Sequence, residues 1–359
     1  MSNTKTMKMF KKRFCRLLLV LLAASPLTSF GFISSNKVRF EVHFAPNFIS
    51  SIYSVGEVGF KRDPQLTYVD MSASDKETLQ QERSLIEFGN GESGHFCFPA
   101  YFLPCYLNVS STDEYKEYVT ALKKALLANN FDEFLKRYLV NFNDVFMKEN
   151  RSFFTQSKDN WETYTKPKLE RFFKVLDIFA KYASEYEQRF WSEDKRLLTE
   201  RATYFNAYFE KQDIIGKWEQ LLGKSFNGDY RIYLCRHNSY GPDANSICFD
   251  RNIFCAFKYE SRVIDFVSHE VGTHLFFEEA FLNDGLKKLR KENYRVFYAA
   301  FESLAMFLNG KVLGKAVSYS LDNFRAKEFG EIYAKVYQPN VTVEAMIREG
   351  VAQMTPRWK

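Results

Sequence analysis

Two histidines and a glutamate stand together in an otherwise largely apolar run, Val263-Ile-Asp-Phe-Val-Ser-His269-Glu270-Val-Gly-Thr-His274-Leu-Phe-Phe. Neutral imidazole is the commonest metal-ligand side chain, and a carboxylate beside two of them points to hydrolytic zinc chemistry. The familiar zinc-protease spacing, H-E-x-x-H, stacks both rings on one helix face. Here the spacer is one residue longer. On a regular α-helix a step of five residues turns about 500°, which leaves the rings about 140° apart. Rings so placed do not easily share one metal. A single-turn π-bulge near Gly272, where the backbone is flexible, is therefore expected. The plain alternative is a buried or amphipathic helix that happens to hold two of the chain's five histidines.

A catalytic zinc needs three protein ligands and one open position. His269 and His274 would supply two, for one zinc per chain. The third should come from apolar surroundings on a neighbouring element. Val296-Phe-Tyr-Ala-Ala-Phe-Glu302-Ser-Leu-Ala-Met-Phe-Leu308 has one charged residue, Glu302. A buried carboxylate needs a strong partner such as a metal. Glu278, Glu279 and Asp284 compete for the role, but they lie in a more charged segment where solvated roles are the default; His237 is a further competitor. Glu270, beside His269, is placed to take a proton from water and pass it to a leaving amine. Tyr294, Tyr298, Tyr240 and His237 are all candidates to steady an oxyanion. His237, on a loop, is also placed to contact substrate, whereas His43 and His95 read as structural.

Ser268-His-Glu-Val-Gly-Thr-His274 followed by Phe301-Glu-Ser-Leu-Ala305 resembles the H-E-[IV]-G-T-H … E-G-L-A pattern of the tyrosine carboxypeptidase family, which includes bacterial relatives. The match spans about 40 residues. Ser303 stands where the pattern has glycine, and the chain offers only Arg348-Glu-Gly350 near its end in place of the family's Arg-Gly segment. The resemblance implies a zinc peptidase of the gluzincin kind, with His269, His274 and Glu302 as zinc ligands and Glu270 as the catalytic glutamate. It also implies a carboxypeptidase. Dipeptidyl peptidase III shares the H-E-x-x-x-H spacing, but its E-E-C-R-A-E segment has no counterpart in this chain.

The elements that must position these residues follow from periodicity. Residues 37–60 alternate as strands do, with Val38, Phe40, Val42 and Phe44 pointing one way. A short helix is expected near 76–88, and an extended or irregular buried stretch over 96–109. Helical spacing runs from a Ser-Thr-Asp113 cap to Leu127, over 131–148, over 167–190 and over 194–212. Strands are expected at 229–234 and 246–257, then the motif helix ending at Asn283-Asp-Gly285. A helix over 292–308, stopped by Asn309-Gly310, and two more near 321–335 and 342–353 complete the chain.

The expected fold is α+β and mostly helical, with a zincin-like C-terminal metallopeptidase domain preceded by a helical region. Its divisions are a signal peptide over 1–34, a mixed α/β region over 35–110, a helical domain over 111–225 and the catalytic domain over 226–359. Basic residues ahead of Leu17–Ala24 give the signal its form. This predicts a secreted or periplasmic protein with no stable membrane span after processing, or alternatively one anchored by that apolar segment. Thirty-seven Phe and 21 Tyr mark a globular chain, and a net charge of +6 without a dense basic block argues against a nucleic-acid partner. A peptide or protein is the expected substrate. Cys97 with Cys105, and two of Cys235, Cys248 and Cys255, are candidate disulfides. Two other readings stay open: a catalytically inactive zincin fold used for binding or adhesion, and a helical structural protein without metal.

Overall fold

The computed structural model describes residues 37–89, 92–138, 152–226, 228–241, 245–248, 251–316, 325–338 and 341–358. The signal segment expected over 1–34 lies outside the described residues. Alternation at Val38 and Phe40 makes a strand, β1 (Val38–Glu41). It joins β2 (Tyr230–Cys235), β3 (Asn245–Cys248) and β4 (Arg251–Cys255) in one sheet of order β1-β2-β4-β3. β1, β2 and β4 are parallel, and β3 closes the edge as the antiparallel arm of a hairpin with β4.

Both faces of this sheet are covered, as parallel sheets require. Tyr233, Cys235 and Ile253 point into one apolar interior, and Val38, Phe40, Ile232, Leu234 and Phe254 into another. Counting helices of seven residues or more among the described residues, the first interior holds α1 (Phe44–Val55), α2 (Ala73–Gln81), α3 (Thr112–Ala128), α4 (Asp132–Tyr138) and α5 (Leu169–Tyr186), and faces Tyr233. The second interior faces Phe40. It is built from α6 (Ser192–Gln212), α7 (Ile214–Leu222), α8 (Glu260–Phe277), α9 (Asp284–Glu292), α10 (Tyr294–Leu313), α11 (Ala326–Val336) and α12 (Val343–Met354). The fold is α+β and mostly helical.

Residues 36–359 form one compact unit. The chain passes from one interior to the other between Tyr186 and Leu198, and β1 returns to the sheet beside β2. The divisions expected at 110 and 225 therefore do not coincide with borders between cores.

Several local expectations change. Phe44–Val55 is a helix in which all twelve residues are buried, so no polar face revealed its period. The buried stretch 96–109 is helical: a π turn at Phe98–Phe102 leads into a helix over Leu103–Tyr106. α7 and α9 were not anticipated. α10 runs through Asn309-Gly310 and stops at Gly314, whose φ is +63°. Asn309 is accommodated because its Nδ2 donates to the Asp265 carbonyl at 2.9 Å, which ties α10 to α8. Cys97, Cys105, Cys235 and Cys255 are buried free thiols, so the expected Cys97–Cys105 bridge is absent and Cys235 and Cys255 are unbridged.

Candidate metal centre

α8 carries the motif and packs antiparallel against α10. Their contact runs from Asp265 beside Asn309, through His269 beside Glu302, to Phe276 and Phe277 on the ring of Phe301. α10 is apolar enough by composition to cross a membrane, but most of it is buried in the core. Glu302 is thus a carboxylate set in apolar surroundings, as its sequence context predicts.

His269 Nε2 lies 3.3 Å from Glu302 Oε2, and both side chains are largely shielded from solvent. Burial opposes a charged imidazole. The hydrogen bond to Glu302 and the charges of Glu302 and Glu270 more than reverse this, and His269 titrates above its ordinary range. Burial, reinforced by Glu302 and opposed by His269, pushes the Glu270 carboxyl up to about 7. Tyr298, one turn before Glu302, hydrogen-bonds the same carboxylate. Its phenol is held well above the ordinary range by burial first and then by Glu302. Four residues from two helices therefore share one electrostatic environment.

His274 is not among them. α8 is a regular α-helix from Glu260 to Phe277, so the widened turn expected near Gly272 is absent. The widened turn of this segment lies at Glu278–Leu282, past His274. On the regular helix His274 points away from His269 and rests against Phe226 and Tyr230, at ring separations of 5.7 and 6.4 Å. Gly272 has a different use. A β-carbon there would overlap the indole of Trp218, which is fully buried and donates from Nε1 to Ser268 Oγ at 3.1 Å. Ser268 and Gly272 are four residues apart and form the small-residue face on which α7 rests. That spacing is legible in the sequence.

The competing acids stand apart from the pair. Glu278 and Asp284 are exposed, and Glu279 is bound to Lys224. Tyr240 and Tyr294 are exposed as well, although Tyr294 stacks on Tyr298. His237 is buried elsewhere: its Nε2 is 3.0 Å from Asp194 Oδ2, which also accepts from Tyr186 at 2.8 Å. Arg236 donates to Asp194 Oδ1 at 2.6 Å. This buried cluster was not anticipated, and it commits His237 to the core instead of to substrate. His43 bonds Glu41 and His95 bonds Thr165, in keeping with structural roles.

An imidazole and a carboxylate at 3.3 Å make a fitting start for a divalent cation. Among the described residues, however, no three His, Cys, Asp or Glu side chains gather closely enough to hold one metal ion. His269 and Glu302 are two potential ligands where a catalytic zinc needs three, and His274 does not join them. Comparison of the chain with family models, with curated proteins and with solved structures finds no match, so the motif's resemblance rests on its own residues.

Proposed function

We propose that this chain is an exported zinc-dependent peptidase with a zincin-like catalytic region, and that its centre is the His269–Glu302 pair with Glu270 beside it. The observation that carries the reading is the 3.3 Å approach of His269 Nε2 to Glu302 Oε2 between α8 and α10. His269 and Glu302 would hold the ion, with His274 as the third ligand the motif supplies. Zinc bound there would supply Lewis acidity toward a peptide carbonyl and toward water. Glu270 does the proton work. Its carboxylate accepts a proton from the attacking water and returns it to the amine nitrogen as the C–N bond breaks. Tyr298 hydrogen-bonds Glu302 and would hold that carboxylate in place for the ion. A terminal carboxylate on the substrate, as in a carboxypeptidase, is the narrower form of this reading.

A second reading has its own support. The placement of His274 against Phe226 and Tyr230 favours a zincin-like scaffold that binds a peptide without cutting it. Metal analysis of the purified chain separates the two from a metal-free protein. One zinc per chain, lost in His269→Ala, supports the peptidase and the inactive binder alike. Hydrolysis of a peptide library that depends on Glu270 then selects the peptidase. A chain that takes up no zinc at micromolar free metal would end both.

A further inference from the structure

The loop between β4 and α8 breaks a local rule and exposes aromatic surface at the same residue. Tyr259 is the N-cap of α8. Its carbonyl accepts from Arg262 N at 2.8 Å and from Val263 N at 3.1 Å, while its side chain caps nothing. Ser, Thr, Asp and Asn are preferred at this position because their side chains satisfy an N–H of the first turn. Tyrosine gives that stabilisation up. It is also 86% exposed, the most exposed large hydrophobic side chain among the described residues. Phe257, two residues earlier, is 47% exposed. A local preference set aside in this way, with no packing gained in return, marks a residue kept for something other than folding.

Cations border the two rings. Lys258 stands between them, and Arg236 lies over the Phe257 ring at 6.0 Å from its centre. On the other side Arg201, from α6, donates to the Ala256 carbonyl at 3.3 Å and lies over the ring of Tyr204, itself exposed. Tyr204 donates its hydroxyl to Glu260. Arg236 is matched by Asp194, but Arg201, Lys258 and Arg262 stand against Glu260 alone, so the tip is positive. The charge calls for an anionic partner, and the shape narrows the choice. A ring as exposed as Tyr259 touches almost nothing of its own protein, so it projects instead of lining a recess. Projecting aromatic rings among Lys and Arg suit a fluid interface, where the rings settle at headgroup depth and the cations meet anionic headgroups. We infer that Phe257 and Tyr259 form an insertion tip that docks this chain peripherally on an anionic lipid surface. Such docking adds no membrane span, and it places the first turn of α8, the motif helix, at that surface.

The test is co-sedimentation of the full chain with vesicles of equimolar phosphatidylglycerol and phosphatidylcholine, and with vesicles of phosphatidylcholine alone, alongside urea unfolding. Wild type should bind the anionic vesicles about tenfold or more tighter than the neutral ones. Tyr259→Ser restores a capping side chain, so it should raise the unfolding midpoint and yet weaken binding to anionic vesicles about tenfold. A tyrosine with a merely structural role would move both in the same direction. Because Leu17–Ala24 is also apolar, immersion of the tip is read separately in Tyr259→Trp. The fluorescence this variant gains over wild type should be quenched by anionic vesicles with brominated acyl chains. Absence of that quenching overturns the inference, and so does a Tyr259→Ser chain that binds as tightly as wild type. Tighter binding of wild type to soluble polyglutamate than to the anionic vesicles also overturns it, in favour of an acidic protein.

Discussion

Trp218 lies directly on Gly272, and its indole nitrogen donates to Ser268 one turn earlier on the same helix. The motif helix is therefore gripped along its Ser268–Gly272 face, next to the face that carries His269. Gly272→Ala tests this grip. Alanine is the better helix former by about 1 kcal/mol, so an open site would be stabilised. Here the added methyl meets a fully buried ring, and overpacking of that kind costs about 1–3 kcal/mol beyond any propensity gain. Urea unfolding should show a lower midpoint for the variant with an unchanged slope. A raised midpoint would mean that the indole yields.

Tyr298 and Glu302 occupy successive turns of α10, and the phenol binds the carboxylate that His269 also binds. A ligand held on its far side loses less freedom when it takes up an ion. Partners of this sort typically contribute 10–100-fold to metal affinity. Tyr298→Phe should therefore weaken zinc binding by about that factor while leaving the unfolding midpoint nearly unchanged. Glu302→Gln should weaken it further. Equal affinities for wild type and both variants would transfer the ligand role elsewhere.

How much of this was legible in advance depended on whether a residue had a solvent face to be read against. α3 shows Tyr115, Tyr118, Val119 and Leu122 on one side and charges on the other, with Ser111 accepting from Glu114 N at its start, and it reads correctly from the sequence. α1 is buried all round, so its residues carried no polar counter-pattern and the early alternation at Val38 and Phe40 was extended too far. The pairing of His269 with Glu302 followed from a lone acid in an apolar helix. The side-step of His274 did not, because the motif alone does not show that α8 stays regular through Gly272 and widens only at Glu278–Leu282. The Asp194 cluster was hidden for a simpler reason: its four members come from three separate elements with no shared motif.

That cluster predicts how acid acts on the fold. Burial by itself would raise the Asp194 pKa, but hydrogen bonds and charge from His237, with further hydrogen bonds from Tyr186 and Arg236, outweigh it and leave the carboxyl below its ordinary range. A depressed folded-state pKa adds stability that is fully present above the unfolded value of about 3.9 and is lost as pH falls through the folded value. Asp194→Asn should cost about 3 kcal/mol at neutral pH, since it strips the carboxylate from a buried partner set. Measured in urea at a series of pH values, the gap between wild type and variant should narrow below about pH 4. A gap that stays constant down to pH 2.5 would place the stabilisation in packing and not in charge.

Glu270 carries the sharpest test of catalysis. It follows His269 directly on α8, and it feels the charges of both His269 and Glu302. Neither of those two can replace it as a base if both hold an ion. Glu270→Gln keeps the size and shape of the side chain but cannot carry a proton, so peptide hydrolysis should fall by about 10²–10⁴-fold. Zinc content should stay at one per chain, because the substitution touches the base and not the ligands. His269→Ala should lose metal and activity together. The assay should include peptides ending in Tyr or Phe and acidic peptides, which the motif's resemblance and the net charge of +6 respectively favour. A Glu270→Gln chain that hydrolyses as fast as wild type would remove Glu270 from the reaction. A wild-type chain that binds zinc yet cleaves nothing would leave the scaffold as a peptide binder.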